Sequence, residues 1–138
     1  MNVGFTGTRQ GMSEAQRGAL VQFLRAWHVT LFIHGDCIGS DEQADAVARE
    51  LNLHRRLRPG SFEKFRAHSE RFGGFFEIMP AEHPLARNVK IVRESNILLA
   101  TPAGPETQRS GTWMTIRQAR SDRKHVVLIF PSGQIRHE

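Results

Sequence analysis

Residues 30–41 read Thr-Leu-Phe-Ile-His-Gly-Asp-Cys-Ile-Gly-Ser-Asp, an apolar run that passes into a glycine turn. The run 30–33 is apolar on both faces, as expected of a parallel strand covered by helices on both sides. Apolar residues then recur at the spacing of a half-buried helix. They are Ala44, Val47, Ala48 and Leu51. A strand, a glycine turn and a helix in this order predict a βαβ unit.

Two more junctions share this chemistry of glycine, a small hydroxyl residue and a helix start. Residues 5–11 read Phe-Thr-Gly-Thr-Arg-Gln-Gly, and residues 109–112 read Arg-Ser-Gly-Thr. Glycine lets a backbone approach a ligand, and the N-terminus of a helix attracts anions. In a parallel sheet all three junctions open at the same edge, where such sheets bind ligands. We therefore predict a site for a phosphorylated small molecule.

Strands alternate with helices along the whole chain, which predicts one Rossmann-like α/β domain over residues 1–138. The sheet is expected to be doubly wound and mainly parallel, with helices on both faces and its first and fourth strands adjacent. The five predicted strands are 3–6, 30–33, 53–57, 96–100 and 125–130. The polar residues at 54–56 indicate an edge position for the third strand. Capping boxes are expected at Ser13 with Gln16, and at Ser40 with Gln43.

The segment 59–81 is the irregular part of the chain. It contains a Gly-Gly pair and five phenylalanines, at 62, 65, 72, 75 and 76. A long irregular segment in a small domain is usually a lid or an interface. A short helix that packs its phenylalanines on the sheet edge is the alternative. Because the aromatic surface exceeds what one sheet edge covers, we expect a homodimer.

Composition limits the classes of partner. The 138 residues suit one domain, and the single cysteine, Cys37, fits a reducing cytoplasm. No apolar run approaches a membrane span, and a strand pattern begins at once, so neither a membrane contact nor a signal peptide is expected. The net charge of +5 favours anionic partners, but no aromatics interleave the basic residues. Nucleic acid is therefore less favoured than a small molecule.

Known cofactor and metal motifs do not match. The glycines at 4, 7 and 11 have the wrong spacing for a dinucleotide fingerprint, and no Gly-Lys-Ser/Thr sequence follows a strand. The histidines lack metal-ligand spacing. We predict no metal site and no resident cofactor.

Four motifs occur in the order found in the SLOG superfamily, which contains the Lonely Guy phosphoribohydrolases and DprA. Residues 4–9 (Gly-Phe-Thr-Gly-Thr-Arg) resemble the opening strand and turn of that group. Residues 34–44 resemble its second junction, H-G-G-A-x-G-A-D-x-x-A. Arg87-Asn88 resembles its R-N motif, and residues 95–100 (Ser-Asn-Ile-Leu-Leu-Ala) resemble its S-D-x-L-x-A strand. The small, stand-alone YpsA-like proteins are the most similar branch, and the resemblance implies a nucleotide derivative as ligand.

The chain departs from the Lonely Guy pattern at one functional position. Those enzymes carry P-G-G-x-G-T-x-x-E, and Thr115 stands here at the glutamate position while Gly111-Thr112 matches. Arg87 matches their catalytic arginine. Another carboxylate, at Glu82, Glu94 or Glu106, could replace the glutamate. Of these we select Glu82, with Arg87, as the candidate catalytic residues.

Three functions remain open on these residues. The preferred one is a nucleotide-binding sensor or carrier. The first alternative is a nucleoside-monophosphate N-glycosidase similar to Lonely Guy enzymes, and the second is a DprA-like binder of single-stranded DNA.

Each predicted site residue has a structural alternative. Arg9 and Arg87 are phosphate clamps or surface charges. Asp36 and Asp41 bind a ribose hydroxyl or cap a helix, with capping favoured for Asp41. His34 contacts a ligand or makes a structural hydrogen bond, and a packed thiol is favoured over a nucleophile for Cys37. The ligand-binding residues that we predict are Gly7, Thr8, Arg9, His34, Gly35, Asp36, Gly39, Ser40, Asp41, Arg87, Asn88, Ser110, Gly111 and Thr112.

Overall fold

Seven strands form one sheet in the computed structural model, which describes all residues 1–138. The strands are β1 (Asn2–Gly7), β2 (Leu31–His34), β3 (Arg55–Leu57), β4 (Phe76–Ile78), β5 (Ile97–Thr101), β6 (His125–Ile129) and β7 (Ile135–His137). The helices are α1 (Glu14–Ala26), α2 (Ser40–Glu50), α3 (Pro84–Glu94) and α4 (Gly111–Ser121). The strand order is β4-β3-β2-β1-β5-β6-β7, and only β7 is antiparallel. The predicted Rossmann-like α/β fold is confirmed.

The strand order reverses beside β1, which positions the site. β1 pairs in parallel with β2 on one side and with β5 on the other, so that Gly4 lies between Ile33 and Leu98. The predicted adjacency of the first strand and the strand after α3 is therefore confirmed. Connections leave this point in opposite directions, which opens a crevice at the carboxyl ends of β1 and β5.

Each face of the sheet has its own apolar core. Phe5, Phe32 and Val127 pack with α1 and α2 on one face, while Leu98, Trp113 and Ile116 belong to the core on the face of α3 and α4. Burying each such side chain contributes roughly 1.5–3 kcal/mol. The predicted helices on both faces are thus held by two separate apolar layers.

Two expectations about the strands were wrong. The sheet has seven strands instead of five, because the short strands β4 and β7 carry little sequence pattern. β3 is an interior strand, since it pairs with both β2 and β4. Its Arg55 is fully buried, and Asp45 of α2 compensates its charge. An arginine in a strand therefore did not indicate an edge here.

The segment 59–81 contains two short 3-10 helices, Glu63–Phe65 and Ser69–Phe72, and the edge strand β4. It forms no α-helix. Three of its phenylalanines, Phe62, Phe72 and Phe75, are about half or more exposed. None of the four α-helices of the protein is long and apolar enough to cross a membrane.

Candidate functional site

A crevice of about 430 Å³ lies at the carboxyl edge of β1 and β5. It is lined by the end of β1, by the loops after β1 and β2, and by the first turns of α3 and α4. Of the predicted ligand residues, those in its lining are Gly7, Thr8, Arg9, Gly35, Asp41, Arg87, Asn88, Ser110, Gly111 and Thr112. The volume falls within the roughly 300–1,000 Å³ of small-molecule sites.

Three arginines line this crevice without a carboxylate partner. No carboxylate oxygen lies within 4.0 Å of a side-chain nitrogen of Arg9, Arg87 or Arg109. Many arginines elsewhere are paired, as Arg58 is with Glu94, although Arg25, Arg93 and Arg123 also have no carboxylate partner. Unpaired guanidinium groups gathered in one concave site attract an anion.

Arg87 is 7% exposed and joins three elements. Its Nη1 donates to the carbonyls of Gly35, at 2.7 Å, and Arg58, at 3.1 Å. Its Nε donates to Oδ1 of Asn88 at 2.7 Å. This bond leaves the Asn88 Nδ2 group free to donate, and Arg87 Nη2 makes no hydrogen bond within the chain. One edge of the guanidinium is thus fixed, and the other edge retains donors for a ligand.

Arg9 reaches the crevice from the loop after β1. Its guanidinium carbon lies 3.7 Å from the centre of the Phe65 ring. Such cation–π contacts contribute about 0.5–1 kcal/mol at exposed sites. The segment 59–81 therefore holds one of the three arginines of the site.

The junction 109–112 leaves its amide donors open, and we call it the open junction. Ser110 is the N-cap of α4, and its Oγ accepts from the amide of Trp113 at 3.2 Å. The amides of Gly111 and Thr112 donate to no group of the chain, and neither does the hydroxyl of Thr112. Thr112 is only 6% exposed, yet it lines the crevice. Free donors at a helix N-terminus bind anions.

The junction 34–41 satisfies most of its amide donors within the protein, all but those of Gly39 and Asp41, and we call it the closed junction. Oδ2 of Asp41 accepts from the amides of Gly35 and Cys37, at 3.1 and 3.2 Å. Both the amide and the hydroxyl of Ser40 donate to the carbonyl of Thr8, at 3.1 and 2.6 Å. Little of this turn is left for a phosphate.

The start of α2 differs from the predicted capping box. Gly39 is the N-cap and makes no side-chain cap bond. The Ser40 hydroxyl donates to the carbonyl of Thr8, and the Gln43 side chain accepts from the amide of Met12. The capping box at Ser40 and Gln43 was wrong because both side chains bind the loop after β1 instead. Neither Gly39 nor Ser40 lines the crevice. Gly39 lies against the carbonyl of Arg9, which a Cβ would approach to 2.1 Å.

His34 and Asp36 lie behind the crevice wall and are fully buried. His34 Nδ1 accepts from the amide of Asp36 at 2.9 Å, so its Nε2 carries the proton that is donated to Asp45, at 2.8 Å. Asp36 Oδ1 accepts from the amide of Ser69 at 2.9 Å. In this structure both residues hold the turn and the segment 59–81 together.

Asp45 and Arg55 form a buried ion pair that sequence reasoning missed. Nε of Arg55 lies 2.8 Å from Asp45, and Nη1 of Arg55 donates to the carbonyl of Gly73 at 2.7 Å. Burial raises the pKa of Asp45, but hydrogen bonds from His34 and Arg55 outweigh it and lower the pKa to about 2. The one available signal was Arg55 itself, a charged residue inside a predicted strand.

Two groups in the crevice have perturbed proton affinities. Burial, with the nearby Asp41 carboxylate, raises the pKa of the Cys37 thiol to about 11. The thiol is therefore protonated near neutral pH and is a poor nucleophile. Burial also raises the pKa of Asp41, although His34 and Arg87 oppose the rise.

The candidate catalytic glutamate lies outside the crevice lining, where Glu82 pairs with Lys90 at 2.6 Å. Thr115 is buried, and its hydroxyl donates to the carbonyl of Gly111 at 3.0 Å. Asp41 is the only carboxylate in the lining. Sequence reasoning also omitted Thr6, Gln10, Leu85 and Arg109, which line the crevice next to predicted residues.

Comparison with solved structures gives a likeness in fold. The molybdenum cofactor binding protein from the phototrophic bacterium Rippkaea orientalis superposes with a TM-score of 0.69 and 18% sequence identity. The match covers 94% of this chain and 76% of that one. This likeness supports the Rossmann-like fold. No protein-family model and no curated protein sequence matches the chain.

Proposed function

We propose that the protein binds a nucleotide or a similar phosphorylated heterocyclic compound in the crevice and acts as a carrier or sensor. The observation that carries this proposal is the set of three crevice arginines without carboxylate partners. The open junction adds two free amides and the Thr112 hydroxyl. Together these groups suit the phosphate end of a ligand.

The arrangement supports binding better than turnover. N-glycosidic cleavage of the Lonely Guy kind uses a carboxylate that here is replaced by the buried Thr115. The remaining crevice carboxylate, Asp41, already accepts two amides. We therefore assign Arg87 to ligand binding and to holding α3, and we give Glu82 no role at the crevice.

The structural likeness supports the choice of ligands for a first panel. The Rippkaea protein is described as binding the molybdenum cofactor, so this cofactor is tested beside nucleoside monophosphates. We propose that this chain belongs to the YpsA-like branch of the SLOG superfamily, on the motifs given above. The proposed binding of an anion in the crevice depends neither on the molybdenum cofactor as ligand nor on membership of this branch.

Calorimetric titration of the panel tests the proposal, with chromatography of the same mixtures for released base. Saturable binding without released base supports the carrier or sensor. Released base supports the N-glycosidase, and binding of oligonucleotides alone, weakened by salt, supports the DNA-binding alternative. If no phosphorylated compound in the panel binds, the proposal fails.

We also propose that the protein self-associates through its exposed phenylalanines. Phe72 and Phe75 are 48% and 70% exposed, and they lie just before the short edge strand β4. An exposed aromatic group beside an unpaired strand edge favours a symmetric contact between two copies. Light scattering over a concentration range measures this, and a mass that stays near 15.6 kDa contradicts it.

A further inference from the structure

One carboxyl side chain lies among the three arginines of the crevice. Asp41 is 6% exposed, and its Oδ2 is occupied by two loop amides. Its Oδ1 accepts no hydrogen bond from the chain and is not fully enclosed. Asp41 lines the crevice, and this oxygen is the part of its carboxyl group that no group of the chain occupies.

No group of the protein meets this oxygen. The nitrogens of Arg9, Arg87 and Arg109 all lie beyond 4.0 Å from the carboxylate. A carboxylate oxygen that loses water on ligand binding needs a hydrogen-bond donor in exchange. An ionised phosphate supplies none and repels it, whereas a hydroxyl or N–H group supplies one.

We propose that Asp41 Oδ1 accepts a hydrogen bond from a neutral donor group of the ligand, a sugar hydroxyl or a heterocycle N–H. This inference rests on the proposed function and narrows it. The ligand then carries a donor within reach of its phosphate, and the crevice binds bare phosphate and pyrophosphate more weakly than such a ligand. Asp41 is in this sense a specificity-determining residue.

The Asp41→Asn variant separates this role from general anion binding. Asparagine keeps an oxygen for the amides of Gly35 and Cys37, while its Nδ2 presents a donor where the carboxylate presented an acceptor. Loss of the negative charge also favours anions. We expect the affinity for AMP to fall at least about tenfold, whereas the affinity for pyrophosphate stays equal or rises.

One control variant tests whether the effect is specific to Asp41, and two further probes identify which group of the ligand supplies the donor. Asp122→Asn, an exposed change at the end of α4, should alter neither affinity. Ribose 5-phosphate carries hydroxyls without a base, and 2′,3′-dideoxy-AMP carries a base without those ring hydroxyls. If Asp41→Asn weakens the binding of ribose 5-phosphate, the donor is a sugar hydroxyl. If it weakens the binding of 2′,3′-dideoxy-AMP, the donor is an N–H group of the base. In the wild-type protein, ribose 5-phosphate or dideoxy-AMP should bind at least about tenfold more tightly than methyl phosphate.

Each outcome decides something different. Equal changes for AMP and pyrophosphate, or no change for either, overturn the role of Asp41 while the proposed function stands. If Asp41→Asn does not fold, the wild-type comparison decides, and equal affinity for methyl phosphate, ribose 5-phosphate and dideoxy-AMP overturns the inference. Absence of binding for every phosphorylated probe overturns the proposed function itself, and this inference with it.

Discussion

The closed junction at 34–41 and the open junction at 109–112 have similar residue types but different hydrogen-bond partners. In the closed junction, Asp41 accepts from two amides of its own turn, and Ser40 donates to a carbonyl of the loop after β1. In the open junction, Ser110 satisfies one amide and leaves those of Gly111 and Thr112 free. Glycine and hydroxyl residues before a helix therefore do not by themselves define a phosphate site. A carboxylate supplied by the same turn can take the anion's place.

Removing the ion pair behind the closed junction should have the largest effect. Asp45→Ala leaves Arg55 buried without a counter-charge, which typically costs about 3–5 kcal/mol. Urea denaturation measures the free energy of unfolding, and Asp122→Ala, an exposed change, serves as the control. A loss below about 1 kcal/mol would contradict the structural role of this pair.

The same pair predicts an acid limit. The pKa of Asp45 is lowered in the folded protein to about 2 from an ordinary value near 3.8. Its stabilisation, about 2 kcal/mol, is therefore complete above about pH 4 and is lost as the pH falls towards 2. Unfolding followed between pH 5 and pH 2 should show this loss in the wild-type protein. If Asp45→Asn loses stability between pH 5 and pH 2 as steeply as the wild-type protein, the loss arises from other titratable groups.

Alanine at a glycine of each junction compares the two directly. Gly39 has φ +87°, and a Cβ there would lie 2.1 Å from the carbonyl oxygen of Arg9. Gly39→Ala should cost about 2–3 kcal/mol of stability. A Cβ at Gly111 meets nothing within 4 Å, so Gly111→Ala should change stability by less than about 0.5 kcal/mol. Similar melting temperatures for the two variants would contradict this difference between the closed and the open junction.

Binding should depend on the open junction. Arg109→Ala removes an unpaired, exposed guanidinium beside the free amides and should weaken AMP binding about tenfold, close to 1.4 kcal/mol. Arg25→Ala is the matched control, because Arg25 is also exposed and lies on α1 outside the crevice. Calorimetry that gives equal affinities for the two variants would place the anion elsewhere.

The smallest expected effect concerns the thiol of the closed junction. The Asp41 carboxylate helps burial to raise the pKa of Cys37 to about 11. Asp41→Asn should therefore lower this pKa and speed alkylation of Cys37 at pH 8 a few-fold, since only the thiolate reacts. Iodoacetamide labelling followed by mass spectrometry measures the rate. A slower reaction in the variant would show that the carboxylate does not act on the thiol in this way.

The sequence supported the fold more fully than the hydrogen bonds of the site. Apolar runs and helical spacing are local, so they located β1, β2, β5, β6 and the four helices. The three-residue strands β4 and β7 are too short to show a sequence pattern and are defined by their pairing with β3 and β6. The contrast between the junctions was also hidden, because Asp41 turns back to Gly35 and Cys37 through backbone geometry that residue types do not specify. The predicted ligand residues stay predictions until a ligand is measured.

The buried Arg55 also limits how a molecule could enter the protein. Its guanidinium donates to the carbonyls of Ser69 and Gly73, so it anchors the second half of the segment 59–81 from inside. Moving that half away would strand a charged group in the interior, which is costly. We therefore expect this half of the segment to open less readily than residues 59–65, which lie next to Arg9. Backbone amide hydrogens near Gly73 should exchange slowly with deuterated solvent. Ligand binding should not require this part of the segment to open.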